Sequence, residues 1–497
     1  MSSISDSLVR LVKSASVIFV GTVLARVLGF LGEVFIIRSL APESFGVVAL
    51  AYTTVLTLSR IGLLGIPNGV TRHISAADSL VQRESILQSG YIIALGCAIV
   101  LTAAVFVLRK SIANLLGTDQ ISGLLVFFLP FILVYSISRV SISALRAQQF
   151  SASAIFVEDL GPRALALIAF TVFAVLSRPF IGAVVYWVTV PISSALLAIL
   201  FLYFRGSIYL SFRTPDTNTL KKLWSFSWPL AIGSSLILLM SNLDVLMIGF
   251  FLDSREVGFY RSVKPLRQAT GFILSSFVFL FLPLATKFYS DGEYDKLNKL
   301  YVTASKWVSL GTLPFVLVFS LFSANAIEVF FGNQYVPAAP VLSVLIAGLF
   351  FNTLVGPNGA MIKAIDKPRM EMYAASAGLA TNVVLNIILI PVFGIIGAAV
   401  ATVIGYIIFN SIEVLVIYVS MGLHPFALNT MKPLVATAVV GIGLARLSSS
   451  IEFGLLELIL FGIVLSIVQL SMVFVTKSYE ETDRFILEQI KARAGIK

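Results

Sequence analysis

The first long apolar run of the chain reads VIFVGTVLARVLGFLGEVFIIRSL over residues 17–40. A helix that rises about 1.5 Å per residue crosses a bilayer in a run of this length. Arg26 and Glu33 nevertheless lie inside it, and they share one helical face with Thr22 and Gly29. A charge that faces lipid at mid-membrane costs about 2.5 to 3.5 kcal/mol, so we expect this face to line protein or water.

Two explanations of the charged face are open. In the first, Arg26 and Glu33, which lie about two helical turns apart, form an internal pair that serves packing alone. Buried ion pairs seldom add net stability, whereas charges inside the membrane are usually functional. The second explanation, a polar cavity lined by this face, is therefore favoured.

The composition excludes a soluble globular protein. The chain has 497 residues, of which 58% are hydrophobic and 12% are charged, and its mean hydropathy is +0.98. Soluble proteins carry about 25% charged residues, so the composition predicts a polytopic membrane protein. The net charge of +10 is expected on cytoplasmic loops, because the sequence has no basic arm that would bind nucleic acid.

The sequence offers no catalytic or metal-binding motif. Its two histidines, His73 and His424, lie far apart, and Cys97 is its single cysteine. It has no glycine-rich phosphate loop, no nucleophile elbow and no loop long enough to fold as a catalytic domain. We therefore expect no metal, no cofactor and no enzymatic activity.

Apolar runs separated by polar loops predict about fourteen transmembrane helices. Six of them precede a polar linker at residues 205–222, and they lie near 14–39, 44–67, 86–108, 121–145, 153–177 and 180–204. Spans seven to fourteen lie near 223–252, 256–286, 302–323, 337–363, 370–391, 394–419, 431–448 and 453–476. Lys and Arg are concentrated in the N-terminus and the even-numbered connections, which predicts that both termini are cytoplasmic.

The two halves of the chain resemble each other. PESFG at 42–46 corresponds to SREVG at 254–258, and IGAVV at 181–185 corresponds to IGAAV at 396–400, at nearly equal offsets. A duplicated six-helix unit would leave this pattern. The predicted fold is all-α, with an N-terminal lobe at 1–207, a C-terminal lobe at 208–420, and two further helices and a cytoplasmic tail at 421–497.

Positive charge dominates the polar content of the predicted helices. Besides Arg26, the cations are Arg60 in span two, Arg139 in span four, and Arg261 and Lys264 in span eight. Each one alone could extend to the lipid headgroups. Arg holds phosphate by a bidentate fork and Lys holds it as a point charge, so cations that face one cleft predict a site for an anionic headgroup.

Two carboxylates and two amides complete the set of candidates. Asp244 in span seven is the approximate counterpart of Glu33, and the pair is expected either to bind a coupling cation or to balance the arginines. Asn382 and Asn386 fit a substrate role, but hydrogen bonding between helices is the favoured explanation.

Several short motifs in a fixed order resemble the polysaccharide-export flippases of the multidrug/oligosaccharidyl-lipid/polysaccharide superfamily. They read PESFG at 42–46, EVGFY at 256–260, FGNQY at 331–335 with AAPVL at 338–342, and NVVLN at 382–386 followed by IPVFGIIGAA at 390–399. The resemblance covers nearly the whole chain. It implies two six-helix lobes around a V-shaped central cavity and transport by alternating access.

The resemblance also implies the substrate. The family moves oligosaccharides linked to undecaprenyl or dolichol phosphate from the cytoplasmic to the outer leaflet of the cell membrane, for surface polysaccharide, N-glycan or S-layer glycan assembly. Cations on spans one, two and eight line the cavity in these relatives, and Arg26, Arg60 and Arg261 match them by position. Membrane lipids and a glycan polymerase, ligase or oligosaccharyltransferase are the implied partners.

Two rival functions make different demands. A cation-coupled multidrug exporter of the same superfamily should have an acidic cavity, because its substrates are lipophilic cations. A membrane glycosyltransferase or ligase should have an acidic metal-binding motif or a large catalytic loop. The excess of Arg and Lys, and the short loops, favour the flippase over both rivals.

The predicted topology is open to a direct test. Cysteine labelling or reporter fusions should place Lys222, Lys296 and Lys367 in the cytoplasm, and Arg109 and Arg255 outside. The two lobes must share one orientation because each has an even number of helices. A mixed or reversed pattern would contradict the duplicated-lobe prediction.

Overall fold

The computed structural model describes residues 2–148, 150–204, 216–448, 453–479 and 483. Nearly all of them lie in helices, and no strand occurs among them. This confirms the predicted all-α fold. Most of the predicted linker (205–215) and most of the C-terminal tail (480–482 and 484–497) lie outside the described residues.

Contacts divide the chain into two compact units, Met1–Gly258 and Phe259–Lys497. The helices of the first unit are α1 (Ser2–Ser39), α2 (Pro42–Gly62), α3 (Ile66–Ser75), α4 (Leu80–Leu115), α5 (Gln120–Ala147), α6 (Ser151–Ile155), a π-helical turn (Phe156–Leu160), α7 (Gly161–Val175), α8 (Pro179–Phe204) and α9 (Thr217–Phe251). Helix α10 (Ser254–Ser262) runs across the boundary. The predicted lobes rest on the sequence repeat and not on contacts, and they stay a prediction.

The second unit contains the remaining helices. They are α11 (Lys264–Thr270), α12 (Phe272–Ser290), α13 (Tyr294–Leu321), α14 (Ser323–Phe331), a 3₁₀ segment (Asn333–Ala338), α15 (Ala339–Leu354), α16 (Asn358–Ala364), α17 (Pro368–Met421), α18 (Leu428–Leu447) and α19 (Leu455–Val475). The well-buried helix α13 packs against α12, α15, α18 and α19. It forms the centre of this unit.

Twelve helical segments of the described chain are long and apolar enough to cross a membrane. One of them, α17, has 54 residues, and a helix of that length would measure about 80 Å. Its backbone breaks at Gly394, which has φ 58° and ψ −141°. The sequence predicts one span before this point and one after it, near 370–391 and 394–419. The total of about fourteen spans stays a prediction.

Helix α5 holds the first unit together. It packs against α2, α3, α4 and α8. Tyr52 of α2 stacks on Trp187 of α8 with ring centroids 4.5 Å apart, and it meets Phe131 of α5 edge-on at 5.8 Å. These aromatic contacts fix α5 between α2 and α8, and α5 in turn carries two of the arginines of the candidate site.

The starts of α2 and α10 approach each other through two glycines. A Cβ added to Gly46 would lie 1.7 Å from the carbonyl oxygen of Ser254, and one added to Gly258 would lie 2.0 Å from that of Pro42. The sequence repeat pairs Pro42 with Ser254 and Gly46 with Gly258, so equivalent residues make reciprocal contacts. A local two-fold relation between the two helix starts produces such an exchange.

These glycines generate a stability prediction. Gly46→Ala or Gly258→Ala should place a methyl group inside a backbone oxygen's radius and destabilise the protein by about 1 to 3 kcal/mol or more. The thermal unfolding midpoint of the purified protein in detergent measures this effect. Gly123→Ala in α5 is the control, because an added Cβ there meets no atom within 4 Å. Equal midpoints for all three variants would contradict the prediction.

Candidate functional site

The predicted cations fall in both units. Arg26, Arg60 and Arg139 belong to the first unit, and Arg261 and Lys264 belong to the second. The environment of each group is described within its own unit. The single cleft expected from the sequence, which would join spans one, two and eight, stays a prediction.

A tyrosine of α5 connects two of the predicted residues. Arg60, at the end of α2, donates a hydrogen bond from Nε to the Tyr135 hydroxyl at 3.1 Å. The Tyr135 ring stacks on Phe131 with centroids 5.4 Å apart. Arg139 lies one turn further along α5, with its guanidinium carbon 5.9 Å from the Tyr135 centroid. The structure therefore brings Arg60 and Arg139 together around one phenol.

Glu158 pairs with two arginines of α5. Arg139 Nη1 donates to its Oε1 at 2.7 Å, and Arg146 Nη2 donates to its Oε2. The Glu158 side chain is only 15% exposed. It lies on the π-helical turn between α6 and α7, and such turns are rare and often occur at functional sites. One carboxylate of this turn thus fixes two guanidinium groups.

The same turn reaches the polar face of α1. Arg163 donates from Nη2 to Asp159 Oδ1 at 2.8 Å and from Nη1 to the Ala25 carbonyl oxygen at 2.9 Å. A Cβ added to Gly29 would lie 2.5 Å from Arg163 Nη1. Glycine on this face of α1 therefore leaves room for an arginine from α7. Both Arg163 and Asp159 act electrostatically on Arg26.

We call this set the arginine network. It consists of Arg26, Arg60, Tyr135, Arg139, Arg146, Glu158, Asp159 and Arg163. Its five arginines outnumber the carboxylates among them, even when Glu33 of α1 is counted with Glu158 and Asp159. An excess of oriented guanidinium groups inside a membrane protein can bind a phosphate by charge-assisted hydrogen bonds.

Part of this network was not predicted from the sequence. The candidate residues did not include Arg146, Glu158, Asp159 or Arg163. The signal was present, because Glu158, Asp159 and Arg163 interrupt the apolar run of span five as Arg26 and Glu33 interrupt span one.

The two predicted carboxylates occupy different environments. Asp244 is 2% exposed on α9, and its Oδ1 accepts the backbone N–H of Val245 at 3.1 Å. Glu33 is partly buried on α1, next to Gly32. A Cβ on Gly32 would lie 2.4 Å from the Tyr186 hydroxyl oxygen, so α8 packs closely on this part of α1. A coupling role for either carboxylate stays a prediction.

In the second unit, Arg261 is almost fully buried on α10, at 2% exposure, and Lys264 begins α11. The neighbouring Tyr260 hydroxyl lies 3.4 Å from Thr402 Oγ1. Thr402 Oγ1 also accepts a hydrogen bond from Asn382 Nδ2 at 3.3 Å. This contact joins the two halves of α17 and agrees with the packing role that we favoured for Asn382.

Asn386 extends this chain of amides. Its Nδ2 donates to Asn382 Oδ1 at 3.1 Å, and its side chain is fully buried. Both amides of the NVVLN motif therefore form hydrogen bonds inside α17.

The sequence of this chain matches two protein-family models and several known proteins. Residues 11–289 match the model of the family described as "Polysaccharide biosynthesis protein", and residues 229–388 match the MatE family model. The "Probable low-salt glycan biosynthesis flippase Agl15" of Haloferax volcanii is 22% identical over 396 residues, which cover 80% of this chain and 81% of that protein. An uncharacterized membrane protein of Methanocaldococcus jannaschii is 28% identical over 193 residues, and this match spans only 38% of either chain.

The fold is also that of a solved transporter. The structure titled "Lipid II flippase MurJ, inward closed conformation" superposes with a TM-score of 0.76 at 18% identity, and the match covers 92% of this chain and 98% of that one. This likeness shows the fold, and the family match confirms the resemblance to polysaccharide-export proteins. Since the family model covers more than half of its length, the chain belongs to the polysaccharide biosynthesis protein family.

Proposed function

We propose that this protein is a flippase that carries a lipid-linked oligosaccharide from the cytoplasmic to the outer leaflet of the cell membrane. The observation that carries the proposal is the arginine network, in which arginines outnumber carboxylates inside a membrane-embedded fold. A relative that matches four fifths of the chain is named a glycan biosynthesis flippase. A polyprenyl phosphate, undecaprenyl or dolichol, supplies the anionic group that such a network would bind.

The network is suited to bind and release an anion. Glu158 presents its two oxygens to Arg139 and Arg146, and a phosphate offers oxygen acceptors of the same kind. A bound phosphate would therefore replace Glu158 as the acceptor of one arginine while the other stays paired. In such an exchange, each guanidinium group keeps an anionic hydrogen-bond acceptor, either Glu158 or the substrate phosphate, at each step.

Arg60 adds a second point of attachment. Its described hydrogen bond to Tyr135 uses Nε, and a guanidinium carries four further N–H donors. Arg26 of the first unit, and Arg261 and Lys264 of the second unit, are the further cations that we propose bind phosphate. In this scheme the sugars cross through an aqueous cavity and the lipid tail stays in the bilayer.

The main rival is a multidrug exporter, which the MatE match over residues 229–388 favours. Exporters of lipophilic cations require carboxylates that outnumber cations along the path. The arginine network has the opposite balance, and the match to the polysaccharide family extends over more of the chain. The flippase is therefore the better supported function. Relatives named as flippases also argue against the third candidate, a glycosyltransferase.

Partners beyond the substrate follow from the proposed pathway. A flippase delivers its glycan to an enzyme on the outer face, so a polymerase, a ligase or an oligosaccharyltransferase must consume the product. Membrane lipids surround the protein throughout.

Replacing the cations tests the proposed site. Arg26→Ala or Arg261→Ala should abolish flipping while the protein remains in the membrane, because the phosphate loses a partner worth about 1.5 to 3 kcal/mol. Arg26→Lys should restore activity only partly, and Arg38→Ala should have a much milder effect. The readouts are the lipid-linked oligosaccharide in the cytoplasmic leaflet and the glycan at the cell surface. Normal surface glycan after joint neutralisation of Arg26, Arg60 and Arg261 would favour the drug exporter.

The arginine paired with Glu158 gives an independent test. Arg139→Lys keeps the charge but loses the planar fork, and we expect roughly ten- to hundredfold weaker transport, the equivalent of about 1.5 to 3 kcal/mol. The rate of glycan appearance at the surface measures it, normalised to the amount of protein in the membrane. Arg178→Lys is the matched control on an exposed residue outside the network. Equal rates for the two variants would remove Arg139 from the site.

A further inference from the structure

Glu413 is a buried carboxylate that the proposed function does not use. It lies in the second half of α17 and is 1% exposed. Neither of its oxygens accepts a hydrogen bond from any residue that the structure describes. Buried polar groups in proteins are almost always hydrogen-bonded, so this carboxylate requires an explanation.

A second carboxylate faces the same point. A Cβ added to Gly359 of α16 would lie 3.7 Å from Glu413 Oε1 and 3.8 Å from Glu371 Oε1. Glu371 belongs to the first half of α17, and its Oε1 lies 2.9 Å from the Lys363 ammonium. Two carboxylates therefore approach one glycine, and the described ion pair of Lys363 is with only one of them, Glu371.

The described hydrogen bonds of two polar residues near Glu413 go to other acceptors. The Tyr301 hydroxyl of α13, which interacts electrostatically with Glu413, donates to the Val355 carbonyl oxygen at 3.2 Å. Asn410 lies one turn before Glu413 and donates to the Tyr406 carbonyl oxygen at 2.7 Å. Neither of these described hydrogen bonds is made to Glu413.

Asn358, which precedes Gly359 in α16, also makes its described hydrogen bond to a group other than Glu413. Its Nδ2 donates to Asn410 Oδ1 at 2.8 Å. The charged and titratable groups that act on Glu413 are Glu371 and Lys363, with Tyr301 on the neighbouring helix. An ionised Glu413 would therefore be buried beside another carboxylate without a hydrogen-bond donor, which is an expensive arrangement.

We propose that Glu413 is a proton-binding site, neutral in the conformation described here and able to lose its proton toward the Lys363–Glu371 pair. Lys363 is half exposed and Glu371 is 17% exposed at the side chain, so this pair leads from Glu413 to water. When the Glu413 O–H bond breaks, the proton passes to water, and the Lys363 ammonium can then compensate either carboxylate.

A proton fits the site better than a metal cation. A hard cation takes several oxygen ligands, and here the second carboxylate is already neutralised by an ammonium group. The proposal involves neither Glu33 nor Asp244, and it does not depend on the identity of the transported molecule. Proton binding at Glu413 can therefore be measured without any transport assay.

Infrared difference spectroscopy of the purified full-length protein in liposomes tests the proposal. Spectra recorded in acidic and alkaline buffer should contain a carboxylic acid C=O band that disappears at alkaline pH. Glu413→Gln should remove this band. Glu328→Gln, on an exposed glutamate of α14, should retain it and serves as the matched control. The proposal fails if the Glu413→Gln and wild-type difference spectra are identical.

Sodium provides the second arm of the experiment. Addition of sodium chloride at constant pH should leave the Glu413 band unchanged, with choline chloride as the control for ionic strength. Loss of the band in sodium alone would overturn the proposal in favour of a cation site.

A measurement on the unaltered chain covers the case in which Glu413→Gln does not fold. A hydrophobic carbodiimide modifies protonated carboxyl groups, and mass spectrometry locates the adduct. Glu413 should be modified at acidic pH and protected at alkaline pH. Absence of an adduct at Glu413, or modification that does not change with pH, would count against the proposal.

Discussion

An ionised carboxylate inside a membrane protein needs a compensating charge, and Glu158 pairs with two arginines at once. The π-helical turn that carries it also carries Asp159, which holds Arg163 against α1. Without this turn, the arginines of α5 and α7 would be like charges in a medium that solvates them poorly. The turn therefore allows a strongly cationic surface to exist in the first unit, and that surface is what distinguishes the proposed anion carrier from a carrier of cations.

The sequence predicted the helical fold and much of its segmentation for physical reasons. Long apolar runs need no tertiary information, and Gly394 separates two runs that a helix cannot join. The network was harder to predict. The contact of Arg163 with α1 depends on a helix pair more than a hundred residues apart, and the link between Glu158 and Arg139 depends on the local winding of one turn. Hydrophobic periodicity describes neither property.

The repeated motifs acquire a structural reason from the two glycines at the helix starts. Gly46 and Gly258 each pack closely against the backbone carbonyl oxygen of the first residue of the other motif. Glycine at the same position of both segments leaves space for the backbone of the other segment. The predicted duplication would account for both the sequence repeat and the close helix contact.

The two halves of α17 are joined at Gly394 without an intervening loop. Gly394 alone makes the turn, and a Cβ on Gly397 would lie 2.3 Å from the Leu389 carbonyl oxygen, so the chain folds back on itself within a few residues. One residue inserted after the turn would rotate everything that follows by about 100°. Glu413 would then leave Gly359 and face a different neighbour. We therefore expect that this connection does not tolerate the insertions that loops between membrane helices usually accept.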